Sequence, residues 1–514
     1  MPLAHALSDH RTLRRPEIGA IHVIGCDIGT QSLKAVLLDE QGATVARASA
    51  AYGVDYPRPG WAQQRPETWI AGLEAALPAL LAEAGIEAQD VGALGLATQV
   101  DGVVAVDADL TPLAPAIIWM DRRATDQTRQ LRRRLGGTDT DTLAITGCNL
   151  DASHVGPKIM WLRDEAPEVA ARARTFLLPG SYLVAYLTGE LVVDHANASS
   201  TLLYDINARA WSTRMLDAAG VDRTTLADIR PAHDVVGTLR PAVAERLGLD
   251  AACRVVVGTG DEHGACLAAG AVDKNVICDI TGTAEPVAVG TDRPVLDPTG
   301  LVETHGHADD RLWLIENPGF VSGGSVRWFL DLFGASEGDL DRIGEVEPGS
   351  GGVTFLPTLS GATTPVWDEE IRGAFAGLGL NHGFAHLARA VLEGCTFALR
   401  DLVDRFAELG LGGTEIRVVG GGARSMQWLQ MKADVTGRVV RVLTTDEATA
   451  LGAAELAAVG GGLFRDLDEA VEALTHLEPQ AYEPNPATRD AYETAYRRYR
   501  DTFAAIAATG GPPA

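Results

Sequence analysis

Short apolar runs that end in glycine or acidic turns alternate with segments of helical spacing along the chain. Three runs near the start, at 21–30, 34–39 and 43–51, are separated by turn residues and predict an antiparallel meander of strands. Apolar residues spaced by three and four then predict a helix over 66–84, and a strand follows at 91–98. This mixture indicates an α/β protein that does not begin with the strand–helix order of a Rossmann fold.

The rest of the chain continues the same mixture. Further strands are predicted at 103–106, 116–119, 191–193, 255–257, 276–280, 312–316, 351–357 and 416–419. Further helices are predicted at 158–173, 175–187, 214–220, 242–248, 265–270, 386–406, 448–459 and 490–507, with two more directly after the glycine-rich segments at 319–324 and 420–425. A chain of 514 residues with this many elements is long enough for two or more domains.

Asp261 lies where a β-branched strand ends in Gly258 and Gly260 and a helix of small residues follows. Such a turn presents backbone N–H groups and the helix dipole to an anion. A carboxylate there would repel phosphate, but it can take a proton from a hydroxyl that attacks a phosphoryl group. The alternative is an ordinary strand-to-helix turn in which the aspartate caps the helix.

The turn after the first strand carries an acid, a glycine, two hydroxyls and a lysine. Backbone N–H groups and a lysine suit phosphate oxygens, and an aspartate suits a hydrated magnesium ion. A plain hairpin would need none of these groups, although it would tolerate all of them. The residues concerned are Asp27, Gly29, Thr30, Gln31, Ser32 and Lys34.

A pseudo-repeat links the two halves of the chain. Residues 276–283 echo residues 23–30, since each segment is an apolar strand, an acid and a Gly-Thr turn. Two such turns, one in each half, would hold a nucleotide's phosphates between two related domains, which predicts a boundary near 258–273. A third glycine turn at 420–425 lets a ligand approach the backbone closely.

Two polar clusters at strand ends are candidates for binding a polyhydroxy compound. Gln99, Asp101 and Gly102 form one turn, and Asp121 with Arg122 follows another strand. Carboxylate and amide groups beside a tryptophan face, Trp119, are suited to hydroxyl-rich ligands. Ordinary turn and helix-cap chemistry is the alternative.

Composition narrows the class of protein. Apolar residues make up 46% and charged residues 22%, as in a globular chain, and the formal net charge of −26 argues against nucleic acid or an anionic membrane as a general partner. No apolar run is long enough to span a bilayer. Residues 1–20 lack an apolar core and are expected to be a loose tail rather than a signal peptide.

Neither cysteine nor histidine spacing predicts a metal centre. The six cysteines are scattered and none forms a CxxC pair, which is typical of a reducing cytoplasm. His305 and His307 stand two residues apart, but no third ligand is spaced with them in the sequence.

Several motifs, in order, make the chain resemble the FGGY carbohydrate kinases. The resemblance covers most of the chain, from about residue 21 to about 459, and includes a first signature around 155–165 that departs at Val155. The motifs are residues 27–34, 158–165, 258–261, 281–283, 373–378 with 386–393, and 420–425.

The resemblance implies an α/β fold of two ribonuclease-H-like domains, as in the actin-like ATPase and sugar kinase superfamily, with ATP and substrate in the cleft between them. The domains would span 21–257, for sugar and phosphate, and 258–509, for the nucleotide. Asp261 would be the general base and Asp27 would hold Mg²⁺ through water. The turn at 29–34 and residues Thr281, Gly282 and Thr283 would bind phosphates, and Gly420, Gly421, Gly422 and Ser425 would lie at the nucleotide.

Within the family, the region around Gln99, Trp119 to Arg122 and 158–212 is most similar to the xylulokinases, which implies phosphorylation of D-xylulose. Asp101 and Glu262 depart from the xylulokinase pattern and add carboxylates to the sugar pocket. Another pentulose or a sugar alcohol such as ribulose, xylitol, arabitol, erythritol or glycerol is therefore the alternative. A sugar or nucleotide sensor and an actin-like ATPase are further alternatives. A homodimer is common in the family, and the scattered cysteines indicate a cytoplasmic location.

Overall fold

The first half of the chain forms one twisted sheet. The computed structural model describes residues 22–137 and 140–508, so the predicted tail at 1–20 lies outside the described residues. The sheet runs in the order β5-β6-β4-β1-β2-β3, and β7 pairs with the end of β4. Its strands are β1 (His22–Ile28), β2 (Ser32–Leu38), β3 (Thr44–Ala51), β4 (Val91–Thr98), β5 (Val235–Thr238), β6 (Arg254–Val256) and β7 (Thr259–Gly260).

The second half forms a sheet of related topology. It runs in the order β10-β11-β9-β8-β12-β13. Its strands are β8 (Val276–Ile280), β9 (Ala284–Thr291), β10 (Glu303–Gly306), β11 (Trp313–Val321), β12 (Glu415–Val419) and β13 (Val439–Val442). An antiparallel meander, of three strands in the first sheet and four in the second, is continued in both sheets by two parallel strands. The repeat between 23–30 and 276–283 therefore marks the same strand, β1 and β8, of two similar sheets, and the α/β prediction is confirmed.

Sixteen α-helices lie among the described residues, and most begin or end where the sequence predicts. They are α1 (Pro66–Ala84), α2 (Thr125–Arg134), α3 (Thr140–Thr146), α4 (Val155–Glu165), α5 (Pro167–Arg172), α6 (Pro179–Thr188), α7 (His195–Ser199), α8 (Thr213–Ala219), α9 (Pro241–Leu247), α10 (Asp261–Ala268), α11 (Gly323–Phe333), α12 (Phe384–Glu408), α13 (Met426–Thr436), α14 (Ala448–Gly461), α15 (Leu467–Leu474) and α16 (Arg489–Ala508). None of them is both long and apolar enough to cross a membrane.

Two predicted helices are wrong in their bounds, and proline explains both. The helix expected over 158–173 is two helices, α4 and α5, because Pro167 starts a new first turn. The helix expected over 175–187 is a short strand, Thr175–Leu177, followed by α6, which Pro179 opens. The strand pairs with Val104–Val106.

Helix α14 belongs to the second half of the chain but packs on the sheet of the first half, against β1 and β4, with α10 beside it. Glycines allow this close approach. A Cβ atom at Gly25 would lie 2.1 Å from the carbonyl oxygen of Ala450, and one at Gly452 would lie 2.0 Å from that of Gly264. The boundary predicted between 257 and 258 stays a prediction, but the packing of α14 shows that the two halves share one layer.

Candidate active site

Asp261 is the first residue of α10 and stands at the end of the first sheet. The preceding residue, Gly260, is the helix cap and pairs in parallel with Thr98 of β4, so the interpretation of Asp261 as a capping residue is wrong. Its carboxylate accepts a hydrogen bond from the backbone N–H of Glu262, at 3.0 Å. Burial raises the pKa of Asp261 to about 7. A carboxylate with this pKa can accept a proton near neutral pH.

Asp27 lies on β1 and interacts electrostatically with Asp261. Burial, and next the charge of Asp261, raise the pKa of Asp27 to about 8. Lys34, on the neighbouring strand β2, opposes this shift, and it forms an ion pair with Glu447 at 2.9 Å. A divalent cation would be stabilised beside two buried carboxyl groups of which one raises the proton affinity of the other.

The turn between β1 and β2 is held by side chains from two other segments. Tyr52 donates its hydroxyl to the carbonyl oxygen of Gly29 at 2.8 Å, and its own N–H bonds to the carbonyl oxygen of Gln31. The hydroxyl of Thr30 accepts a hydrogen bond from the indole of Trp119, at 2.9 Å. The strand β2 begins at Ser32, directly after this fixed turn.

The two predicted turns of the second half lie against each other. The N–H of Gly422 bonds to the carbonyl oxygen of Thr281 at 3.2 Å, and a Cβ atom at Gly420 would lie 2.8 Å from that oxygen. Gly282 and Thr283 are exposed, and so is Gly421. The geometry therefore brings these glycine turns together at one edge of the second sheet.

Ser425 and Thr281 have structural partners that the sequence did not reveal. Ser425 caps α13 by accepting the N–H of Trp428. The hydroxyl of Thr281 is buried, donates to Asp279 at 2.8 Å and accepts from Lys432 at 2.6 Å. The side chain of Thr281 thus supports its turn from within, and the exposed Gly282 and Thr283 are the residues free to meet a ligand.

Lys432 is a fully buried cation that sequence reasoning missed. Its ammonium group contacts Asp279 at 2.5 Å and Glu285 at 3.0 Å, in addition to Thr281. The lysine lies on α13, and its two carboxylate partners lie on β8 and β9. A separation of about 150 residues leaves no local spacing that would have predicted this cluster.

Gln99 and Asp101 are buried in the turn after β4. Gln99 donates to the carbonyl oxygen of the Gln64 amide at 2.8 Å. Asp101 has a left-handed backbone with φ of 57°, and one of its carboxylate oxygens lies 3.3 Å from the ring of His154. Burial lowers the pKa of His154, but the charge and hydrogen bond of Asp101, together with the charges of Glu303 and Asp151, outweigh burial and raise the pKa to about 9. A Cβ atom at Gly102 would lie 2.6 Å from Pro179, so only glycine fits there.

In the second polar cluster, Asp121 is buried and supports the fold, whereas Arg122 and Trp119 are partly exposed. Asp121 is fully buried, accepts the N–H of Ala62 at 2.6 Å and pairs with Arg123 rather than Arg122. Its oxygens are therefore occupied by the fold. Arg122 is half exposed and contacts Asp151 at 3.3 Å, while Trp119 is partly exposed above Thr30.

Glu262 belongs to a cluster of acids and histidines that both halves of the chain build. Its carboxyl group lies within hydrogen-bonding reach of Glu316 on β11. His305 on β10 contacts both Glu316, at 3.3 Å, and Glu303, at 3.4 Å. Burial raises the pKa of Glu262 well above its usual range, and Glu316 adds to the effect. Burial also raises the pKa of Glu316, so both carboxyls of this pair favour the protonated form more than an exposed glutamate does.

His305 also has the further neighbours that local spacing did not reveal. Cys148 lies 3.8 Å from its Nδ1, and ligand atoms of Cys148, Glu303 and His305 lie within 4.8 Å of one another. The carboxylates approach Nε2, and the pKa of His305 is raised well above its usual range even though burial opposes it. The acidic groups around the ring therefore favour its protonated form. The adjacent His263 has no hydrogen-bond partner on either nitrogen.

Comparison with known proteins finds relatives along nearly the whole chain. The model of the FGGY family of carbohydrate kinases, N-terminal domain, matches residues 22–268, and its C-terminal domain matches residues 279–461. A xylulose kinase from Lactococcus lactis is 33% identical over 94% of this chain and 96% of its own, and a glycerol kinase from Thermococcus gammatolerans is 29% identical over 90% and 93%.

Solved structures show the same fold. The crystal structure of a kinase from Brucella ovis, described as a xyloylose kinase, is 31% identical and superposes with a TM-score of 0.87 over 95% of this chain and all of its own. This chain therefore shares its fold with that kinase along nearly its whole length. The chain belongs to the FGGY family of carbohydrate kinases, which are ATP-dependent phosphotransferases.

Proposed function

We propose that the protein transfers the γ-phosphoryl group of ATP to a primary hydroxyl of a ketose or polyol, with Asp261 as the general base. The observation that carries the proposal is the position of Asp261 at the start of α10, with a pKa of about 7 caused by burial. A base with that pKa accepts a proton at neutral pH without being permanently ionised. The transition state of phosphoryl transfer otherwise needs positioning and charge neutralisation.

Asp27 is the proposed residue for holding Mg²⁺ through water. The raised pKa values of Asp27 and Asp261 support this, because a cation between two partly buried carboxyls relieves their repulsion. The ion would supply neutralisation of phosphate charge when bound. The residues of the chain would orient the phosphates: the turn at 29–32 on one side, and Gly282 with Thr283 on the other.

The adjacent glycine turns at 281–283 and 420–422 are proposed as the nucleotide side of the site. Their exposed backbone allows close approach of the ligand, and Gly282, Thr283 and Gly421 carry no large side chain that would obstruct it. Ser425 fixes the start of α13 directly after the second turn. We propose a cleft between the two sheets as the place where this nucleotide meets the sugar.

D-Xylulose is the first candidate acceptor, since xylulose kinases are among the similar proteins. The residues proposed to contact it are Gln99, Asp101 and Glu262, with Trp119 and Arg122 at the more exposed side. Both oxygens of Asp121 already bind Ala62 and Arg123, so Asp121 would act only by holding these two residues in place.

The test is a coupled assay of ADP release with a panel of D-xylulose, the ribuloses, xylitol, arabitol, ribitol, erythritol and glycerol. Stimulation of ADP release by one of these acceptors is expected, and Asp261→Asn should reduce turnover at least about a thousandfold while ATP still binds. Asp331→Asn, an exposed acid on α11, is the matched control. Release of ADP at one rate regardless of acceptor would show an ATPase, and full activity of Asp261→Asn would refute the role of the base.

A further inference from the structure

The segment that follows α3 lies along the edge strand of the second sheet, β10. The N–H of Thr304 donates to the carbonyl oxygen of Gly147 at 2.9 Å, and the carboxylate of Glu303 accepts the N–H of Asn149 at 2.7 Å. A Cβ atom at Gly147 would lie 2.3 Å from the carbonyl oxygen of Thr304, so the two segments are in close contact. These contacts hold Cys148, a residue of the first half, against a strand of the second half.

Three side chains of the second sheet lie on one face beside Cys148. Glu303 and His305 are two residues apart on β10 and therefore share a face, and Glu316 on β11 is paired directly with Glu303. All four side chains are buried. Ligand atoms of Cys148, Glu303 and His305 lie within 4.8 Å of one another.

The distances around Nε2 of His305 match those between ligands of one metal ion better than those of hydrogen bonds. Nε2 lies 3.4 Å from Glu303 and 3.3 Å from Glu316, whereas charge-assisted hydrogen bonds are about 2.7–2.9 Å long. Two atoms that each lie about 2.0–2.1 Å from a tetrahedral zinc ion are about 3.3–3.4 Å apart. The sulfur of Cys148 lies 3.9 Å from Nε2 and 3.8 Å from Nδ1, so a rotation about its Cα–Cβ bond would complete the set.

Outer hydrogen bonds leave carboxylate oxygens for an ion. Oε1 of Glu303 accepts the N–H of Asn149, while Oε2 faces His305. Carboxylates that bind metals are commonly held by such a hydrogen bond. Oε2 of Glu316 is buried and has no hydrogen-bond partner, and Oε1 of the same group lies at His305. A buried acceptor without a partner costs free energy, which a bound ion would relieve.

A divalent ion satisfies this cluster better than a proton on the ring does. One imidazolium would face two carboxylates, and the thiol of Cys148 has only a weak contact with the carbonyl oxygen of Ser199, at 3.5 Å. A divalent ion bound to the neutral ring neutralises both carboxylates and gives the sulfur a strong bond. Zinc binds the thiolate, so binding releases the thiol proton to the solvent.

We propose that Cys148 of the first half, with Glu303 and His305 of the second, binds a zinc ion that joins the two halves of the chain. Glu316 would supply the fourth donor. A thiolate and an imidazole select zinc over magnesium, which prefers oxygen ligands. Four protein donors leave no open position, so the role of the ion is structural. It is distinct from the Mg²⁺ proposed at Asp27, and the inference does not depend on the proposed kinase function.

The test is the metal content of the protein purified, with any affinity tag removed, from cells grown with added zinc. Loading during growth is chosen because a buried site is filled most readily while the chain folds. Elemental mass spectrometry should find about one zinc ion per chain after dialysis against excess Mg²⁺. Cys148→Ser should lower this content at least about tenfold, whereas Cys253→Ser, at a buried cysteine elsewhere, should leave it unchanged. Wild-type protein without zinc, or equal contents in the two variants, would overturn the proposal.

A second variant and a second metal separate loss of a ligand from loss of the fold. Glu303→Gln keeps the shape of the side chain and an oxygen for Asn149, and its zinc content should also fall about tenfold. Protein from cells grown with Co²⁺ should show a thiolate-to-cobalt charge-transfer band, in the wild type and in Cys253→Ser but not in Cys148→Ser. Full zinc content in Glu303→Gln, or cobalt-loaded wild type without that band, would refute the assigned ligands.

Discussion

Glu455 is a carboxyl group buried in the layer between the two sheets, and it gives the sharpest test of the packing described above. It lies on α14, is fully buried, and neither of its oxygens has a hydrogen-bond partner. Burial alone raises its pKa from 4.5 to about 8. The folded protein therefore holds a proton on Glu455 at neutral pH that the unfolded chain has released.

The sign and size of the effect follow from this difference. Below pH 4.5 both states are protonated and Glu455 costs nothing through ionisation; between pH 4.5 and about 8 the free energy of unfolding falls as the pH rises. Each pH unit in that window costs about 1.4 kcal/mol. Between pH 5 and pH 8 the total is about 4 kcal/mol.

Glu455→Gln replaces the ionisable carboxyl group by a neutral amide of nearly the same size. Urea unfolding followed by tryptophan fluorescence, at half-unit steps from pH 5 to 8, should show the variant gaining about 4 kcal/mol relative to the wild type as the pH rises. Glu83→Gln, an exposed glutamate on α1, should run parallel to the wild type. Curves of wild type and Glu455→Gln that stay parallel would refute the reasoning.

Three further predictions follow from the site and its supports. Because Asp261 must be unprotonated to act and its pKa is raised by burial to about 7, kcat/KM should rise with pH through about 7 in initial-rate measurements, and a flat profile would contradict its role. Lys432→Met leaves two buried carboxylates uncompensated and should lower the free energy of unfolding by about 3–5 kcal/mol in the same urea assay, so an unchanged midpoint would contradict the cluster. Gly452→Ala forces a Cβ atom against Gly264 and should cost about 1–3 kcal/mol, whereas a neutral result would show that α14 can shift.

Local sequence patterns correctly predicted those strands and turns that are specified by a few neighbouring residues. The glycine turns after β1, β8 and β12 and the strands before them are where the sequence placed them. The errors occur where one pattern fits two structures. The apolar run at 175–178 suits a buried strand and a helix equally, and its pairing with Val104–Val106 decides.

The candidate site was predictable only as far as its residues are close in sequence. Asp121 stands beside Arg122 in the chain, but in the fold it pairs with Arg123. Arg122 is therefore the arginine that stays half exposed and can contact a ligand. Glu316 and His305 reach Glu262 only through the pairing of β10 with β11, so no spacing indicates them. The homodimer and the cytoplasmic location stay predictions.

Helix α14 also determines when the first half of the chain can finish folding during synthesis. The face of its sheet at Gly25 and Gly95 is covered by residues that leave the ribosome only after the whole second sheet has been made. Until then an alanine-sized groove on β1 and β4 is open to water, and a nascent chain stalled before residue 448 presents it to chaperones or to other nascent chains. The order of the elements thus makes native assembly a late event in translation, and truncation before α14 shortens the second half and uncovers the sheet of the first.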